Sequence, residues 1–89
     1  MEITLIEQLD HAVEETTVYA DKGSITQSEF AAAGQKDIKP ECCFTVWSFE
    51  YAGQTELIHN GTRYTVYRTF QKKGSDKIEL YCTERLGKR

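Results

Sequence analysis

A chain of 89 residues has room for one domain with a thin core, since a protein this small buries only about 60–65% of the surface that its unfolded chain exposes. A thin core argues against a deep enclosed active site, while 39% hydrophobic and 11% aromatic residues are too many for a disordered chain. The net charge is −3, but residues 1–59 carry eleven acidic and three basic side chains, whereas residues 60–89 carry three acidic and eight basic ones.

The opposite charges of the two segments have three interpretations. Acidic and basic side chains can pair within the fold or simply be solvated. Alternatively, the acidic surface of one copy can meet the basic surface of the next, because complementary potentials favour one orientation. A basic surface can also face nucleic acid.

The first twenty residues predict two strands. Met1, Ile3 and Leu5 alternate with polar residues, which is typical of a short strand. Residues 11–15 are polar enough for a turn, and residues 16–20 are β-branched and aromatic, which favours a second strand.

A short helix is predicted next, over about residues 27–33. Thr26 and Glu29 have the spacing of a capping box, and Gly34 can adopt the left-handed conformation that ends a helix. A helix of two turns is unstable alone in water, so we expect Phe30 and the alanines to pack it against a sheet.

The second half predicts an antiparallel meander. Residues 41–51 are apolar on both faces and predict a central strand, with Phe44 and Val46 on one face and Trp47 and Phe49 on the other. Asn60-Gly61 is the strongest short hairpin signal, because a type I′ turn needs positive φ at both positions.

Two more strands follow this hairpin. In residues 62–71, Tyr64, Val66 and Phe70 alternate with mostly polar side chains, which predicts a strand. Residues 72–76 predict a second hairpin connection, and Ile78, Leu80 and Cys82 predict the inner face of the last strand. Residues 86–89 are expected to form a loose tail. The predicted fold is a small antiparallel β-barrel or sandwich in a single domain over residues 1–89, with one short helix.

No set of residues predicts catalysis. His11 and His59 are each expected at the surface without a metal or triad motif, and Asp10, Glu14 and Glu15 are interpreted as a solvated charge run. The three cysteines have no C-x-x-C spacing, which favours reduced thiols and cytosolic conditions, and Cys82 is expected to be a core residue. We therefore predict a non-enzyme without catalytic, metal or cofactor-binding residues. The first residues lack the basic start and apolar run of a signal peptide, and no apolar stretch is as long as a membrane span. The protein is therefore expected to be soluble and not exported.

Aromatic and basic side chains alternate in the second half. Tyr64, Tyr67 and Phe70 beside basic residues resemble the stacking surface of single-stranded nucleic-acid binders such as OB-folds, although alternating aromatics are also ordinary sheet packing. A small single-stranded nucleic-acid-binding β module is the alternative function.

Residues 17–87 resemble, in order and spacing, the head-closure (head–tail joining or head–tail adaptor) proteins of long-tailed bacteriophages and prophages. The first half of the resemblance lies in Val18-Tyr19-Ala20, residues 24–30, Ala33-Gly34-Gln35, Lys39-Pro40, Phe44-Thr45-Val46 and Ser48-Phe49-Glu50-Tyr51. The second half lies in residues 59–64, Val66-Tyr67-Arg68-Thr69 and Ile78-Glu79-Leu80-Tyr81.

The resemblance implies a mainly β structural protein of the virion neck, present in the host cytoplasm before assembly. It implies a ring of identical copies that closes the DNA exit channel and provides a surface for tail docking. The implied partners are a portal adaptor and tail terminator or other tail proteins, with channel DNA as a further candidate and neither a membrane nor a small-molecule substrate.

The uneven charge suggests how such a ring is held together. We expect the acidic half of one copy to face the basic hairpins of the next. The candidate contacts, to a neighbouring subunit or to DNA, are Lys72, Lys73, Lys77, Arg63 and Arg68.

Overall fold

The computed structural model describes residues 1–84, which form seven strands in one sheet, an α-helix and a short 3-10 helix. The strands are β1 (Glu2–Gln8), β2 (Val13–Tyr19), β3 (Asp21–Gly23), β4 (Cys42–Trp47), β5 (Glu56–His59), β6 (Thr62–Phe70) and β7 (Lys77–Glu84). The helix α1 spans Gln27–Gly34, and the 3-10 helix spans Ser48–Glu50. The prediction of a mainly β fold with one short helix is confirmed, and the predicted tail at residues 86–89 lies outside the described residues.

The sheet curls back on itself without closing. Its strand order is β2-β1-β5-β6-β7-β4-β3, and all neighbouring strands are antiparallel. The two end strands, β2 and β3, follow each other in the chain with only Ala20 between them. The sheet therefore curls until both of its ends lie on one extended segment. Because β2 and β3 do not pair with each other, the sheet is not a closed barrel.

The curled sheet encloses one hydrophobic core. Phe44, Leu57 and Leu80 are fully buried, and each such side chain stabilises the fold by about 1.5–3 kcal/mol relative to leaving it exposed. The predicted inner face of β7 is confirmed, since Leu80 and Cys82 are buried and Ile78 packs against the core. The buried cluster comprises Ile3, Leu5, Val18, Ala20, Cys42, Phe44, Val46, Leu57, Leu80 and Cys82.

The predicted hairpin at Asn60-Gly61 is present. Asn60 has φ 53° and Gly61 has φ 79°, and His59 pairs with Thr62 across the turn. The second predicted connection is also confirmed, because residues 71–76 join β6 to β7.

Two predicted strand boundaries are wrong. Strand β2 begins at Val13, so part of the predicted turn at residues 11–15 is strand. Strand β4 ends at Trp47, and residues 48–55 form a compact connection where a strand was expected up to residue 51. Two bonds close this connection, from the Tyr51 hydroxyl to the Gln54 carbonyl at 2.6 Å and from the Ala52 N–H to Gln54 Oε1 at 2.8 Å.

The helix begins as predicted but ends later. Thr26 caps it, since its hydroxyl accepts a bond from the Glu29 N–H at 3.1 Å. Gly34 lies inside the helix, and the left-handed residue is Asp37 with φ 62°. The Ile38 N–H bonds the Ala33 carbonyl at 3.0 Å, which makes the end a Schellman motif with Asp37 at its reversal. The expected packing through Phe30 is also wrong, because Phe30 is 51% exposed, whereas Ala33 is buried.

Candidate functional site

The hairpin between β1 and β2 extends beyond the sheet. Strand β1 pairs with β5 only through Thr4, Leu5 and Ile6, so beyond Ile6 the hairpin has no further strand beside it. We call this two-stranded ribbon, Glu7 to Glu15, the arm. Every residue from 8 to 17 is exposed. An isolated ribbon of this kind is only marginally stable in water, so an extended arm suggests a partner.

The arm combines exposed apolar side chains with negative charge. Leu9 is 43% exposed and Val13 is 51% exposed. Glu7 lies directly opposite Glu14, and Asp10 and Glu15 add two more carboxylates. None of these four acidic residues has an ion pair within residues 1–84, and like charges placed opposite each other destabilise a strand pair. The isolated arm is therefore electrostatically unfavourable.

Strand β2 also presents an open backbone edge. Hydrogen bonds join Met1 to Ala20 and Leu9 to Ala12, and the β1–β2 register between them is constant. Because hydrogen-bonded pairs alternate in an antiparallel ladder, every second residue of β2 directs its N–H and C=O away from β1. These residues are Val13, Glu15, Thr17 and Tyr19. No described strand pairs with that edge, so it can accept an extended segment from a partner.

A second exposed surface joins the end of β4 to the β6–β7 connection. The Lys77 ammonium lies 5.0 Å from the centre of the Trp47 ring, and the Trp47 and Phe49 rings stack with centroids 6.1 Å apart. The Ser48 N–H bonds the Asp76 carbonyl at 2.8 Å, which fixes the 3-10 helix against this connection. We call this surface the aromatic–lysine patch; its members are Trp47, Phe49, Lys72, Lys73 and Lys77.

The patch is exposed, and its lysines have no acidic partner among residues 1–84. Phe49 is 78% exposed and Trp47 is 41% exposed, and all three lysines are exposed. Lys72, Lys73 and Lys77 form no ion pair with any residue in the described part of the chain. The sequence identified the lysines, but it placed Phe49 in a strand and gave no sign that Trp47 and Phe49 would lie in solvent.

The other two candidate contacts, Arg63 and Arg68, are occupied within the fold. Arg63 Nη2 lies 2.7 Å from Glu56 Oε1, and Arg68 forms an ion pair with Glu29 of the helix. The Arg68 guanidinium also lies 4.1 Å from the centre of the Tyr81 ring. Among residues 1–84 the five predicted contacts thus divide into three exposed lysines without an ion pair and two arginines that pair with Glu56 and Glu29.

A β-bulge brings Arg68 to the helix. The β6–β7 register shifts between Val66 and Arg68, so Tyr67 is an extra residue and both it and Arg68 reach Glu29. Hydrogen bonds from Arg68 and Tyr67 lower the pKa of Glu29, and the bond from Arg68 has the larger effect. This cluster attaches the helix to the sheet in place of the expected aromatic packing.

The aromatic residues singled out for base stacking do not form one platform. Tyr64 packs on the core residue Phe44 with ring centroids 5.9 Å apart, whereas the Tyr67 hydroxyl donates to Glu29 on the outer face. Only Phe70 of this set is exposed, and it lies at the end of β6.

The potential reactive side chains lie in structural environments. Cys82 is fully buried, as predicted, and the neighbouring Cys42 thiol together with burial raises its pKa. Burial likewise raises the pKa of Cys43 to about 11. His59 is not an ordinary surface residue as expected, because its ring packs 5.2 Å from that of Phe44. Within residues 1–84, no three His, Cys, Asp or Glu side chains are placed to hold a metal ion.

The described helices are also too short or too polar to cross a membrane. Comparison of the chain with models of known protein families, with curated proteins and with solved structures gave no match.

Proposed function

We propose that this chain is a structural protein of a bacteriophage neck, in which identical copies form a ring between the portal adaptor and the tail. The ring closes the DNA exit channel and gives the tail a docking surface. The proposal is supported by the ordered resemblance over residues 17–87 and by a mainly β fold of the class that this resemblance implies. The protein works in the virion neck and is present in the host cytoplasm before assembly.

One observation carries the proposal: an acidic arm and a lysine-rich patch lie at the same end of the sheet, on different strands. Strands β1, β6 and β4 run in the same direction, because each is separated from the next by one antiparallel strand. The turns that follow these three strands therefore share one end of the sheet. They carry the arm tip, the lysines and the exposed aromatic rings.

This arrangement suits a ring. A ring of identical copies needs one surface that recognises a different surface on the next copy, and the rotation between copies must close without a rise. Two different, complementary surfaces on one subunit meet the first of these requirements. Opposite charge then sets the orientation of neighbouring copies more than their affinity.

A gene deletion tests the proposal. We expect phage particles made without this protein to lose packaged DNA and to lack attached tails, with both defects restored by the wild-type chain. Electron microscopy of the particles and their DNA content provide the measurements. Complementation with Phe30→Ser is a matched control, since Phe30 is exposed but lies outside both surfaces. Tailed, filled particles from the deletion strain would overturn the proposal.

A single-stranded nucleic-acid-binding module is the second candidate. The observation in its favour is the pair of exposed rings, Trp47 and Phe49, with Lys77 over Trp47, which is a suitable surface for base stacking and phosphate contact. Lys72 and Lys73, in the connection that precedes Lys77, are also exposed. Three phosphate contacts would give a slope of log affinity against log salt of about −2. Titration of a labelled oligonucleotide at several salt concentrations measures this slope.

A further inference from the structure

The two exposed surfaces are complementary in chemistry and charge. The arm presents an exposed aliphatic side chain on each face, Leu9 beside Glu7 and Glu14 on one and Val13 beside Glu15 on the other. The aromatic–lysine patch presents the faces of two aromatic rings within a set of ammonium groups. Aliphatic groups pack well on aromatic faces, and the surrounding charges attract each other.

Each surface also lacks a partner of its own. The arm carries four carboxylates without an ion pair, and the patch carries three lysines without one, in the part of the chain that the structure describes. Phe49 is 78% exposed, so covering its ring would bury a large apolar area and stabilise a contact there. Two arms pairing with each other would instead bring like charges together, which disfavours a symmetric contact between arms.

The arm cannot reach the patch of its own chain. Tyr19, at the far end of β2, lines the same cleft as Trp47 and Lys77. Val13 is six residues away along a strand with constant register, which corresponds to about 20 Å. A regular ribbon cannot fold back over this distance. An arm that docks on this patch therefore has to come from another molecule.

We infer that the arm of one copy docks on the aromatic–lysine patch of a second copy. Leu9 covers Trp47 and Phe49, while Glu7 and Glu14, which project from the same face of the ribbon as Leu9, lie among the lysines of the patch. The open edge of β2 adds backbone hydrogen-bonding groups at Val13 and Glu15. The contact is heterologous, so it repeats from copy to copy. This inference rests on the proposed function and names the surfaces by which the ring assembles.

Two variants, each with one surface disabled, test the inference. The arm variant carries Leu9→Ser and Val13→Ser and keeps its patch. The patch variant carries Phe49→Ser and Lys73→Glu and keeps its arm. All four positions are exposed, so both variants should fold, which circular dichroism and thermal unfolding check. Phe30→Ser, at a similarly exposed ring outside both surfaces, is the matched control.

Sedimentation of the proteins gives the outcome. Wild type and Phe30→Ser should self-associate with increasing concentration, and each double variant alone should associate at least about tenfold more weakly. An equimolar mixture of the two variants retains one intact interface per pair, so it should form a 1:1 dimer and nothing larger. A mixture as dissociated as its components would overturn the inference. So would a wild-type protein that stays monomeric up to about 1 mM.

The same proteins separate this inference from its alternatives. If the patch served nucleic acid, wild type would bind a labelled oligonucleotide but not itself, and the patch variant would lose that binding. Such a result would overturn the inference. The phenotype of the gene deletion is independent of both measurements, so a failure of arm docking and a failure of the neck function give different results.

Discussion

Glu7 and Glu14 are direct cross-strand partners in the arm, so two carboxylates face each other across the ribbon. No described cation lies within ion-pair distance of either residue. Their mutual repulsion weakens the isolated hairpin, because like charges directly opposite each other destabilise a strand pair. A basic surface on a second molecule would relieve this repulsion, so the proposed docking of the arm predicts that assembly and the stability of the arm are linked.

Neutralising one of these carboxylates should therefore stabilise the isolated chain and weaken its assembly. We expect Glu14→Gln to raise the free energy of unfolding by about 0.5 kcal/mol at low salt, with a smaller gain in about 1 M salt. Urea unfolding measures the change. Glu15→Gln is the control, because Glu15 lies opposite Ile6 and should change stability little. An equal gain in both variants would contradict repulsion between Glu7 and Glu14.

The Glu29–Arg68 interaction should make helix attachment sensitive to acid. The hydrogen bonds from Arg68 lower the pKa of Glu29, so the interaction stabilises the fold above the unfolded pKa of about 4.3 and is lost as pH falls through the folded value. We expect Glu29→Gln to cost about 1 kcal/mol at pH 7, a modest value because Arg68 is partly exposed. At pH 3 the difference in stability between the variant and wild type should be smaller than at pH 7, because protonation of Glu29 removes the ion pair. A gap of the same size at both pH values would refute this account.

Two glycines should respond to alanine with opposite signs. Gly61 has φ 79°, so Gly61→Ala forces a side chain into the left-handed region and should cost about 1 kcal/mol or more. Gly34 lies inside the helix, and an added Cβ there would meet no atom within 4 Å, so Gly34→Ala should stabilise by about 0.5–1 kcal/mol. Thermal unfolding of both variants provides the check. Destabilisation by Gly34→Ala would mean that the helix ends at Gly34 after all.

The three cysteines should be unreactive in the folded protein. Cys42, Cys43 and Cys82 are all buried, which keeps a reagent away from their sulfur atoms. Burial also raises the pKa of Cys43 to about 11, whereas a hydrogen bond with the Cys82 thiol lowers the pKa of Cys42, so Cys42 depends on burial alone for its protection. We expect a coloured disulfide reagent to react with none of them at pH 8 until denaturant is added. Rapid labelling of one thiol in native protein would reveal an accessible nucleophile and reopen the question of catalysis.

Strand patterns predicted the fold where one face of a strand meets the core. The alternation in β1 and β7 and the Asn60-Gly61 turn each reflect a local physical preference that the tertiary structure keeps. The same reasoning failed for the arm, because residues exposed on both faces show no apolar alternation. It also failed at Phe49, where an apolar side chain lies in solvent and therefore resembles a buried strand position.

The candidate surfaces were only partly predictable. The uneven charge pointed to Lys72, Lys73 and Lys77, which the structure leaves exposed. It could not separate them from Arg68, because the bulge that brings Arg68 to Glu29 has no signal in the sequence. The role of Glu29 was hidden for the same reason, since its spacing from Thr26 favoured a local capping contact.

Exchange of charge between the two surfaces tests the central claim most directly. One variant reverses the arm with Glu14→Lys and Glu15→Lys, another reverses the patch with Lys72→Glu and Lys73→Glu, and a third carries all four changes. Sedimentation should show self-association weakened at least about tenfold in each double variant and restored in the quadruple variant, because opposite charges again meet between copies. A quadruple variant that associates as weakly as the double variants, or double variants that associate like wild type, would contradict the account.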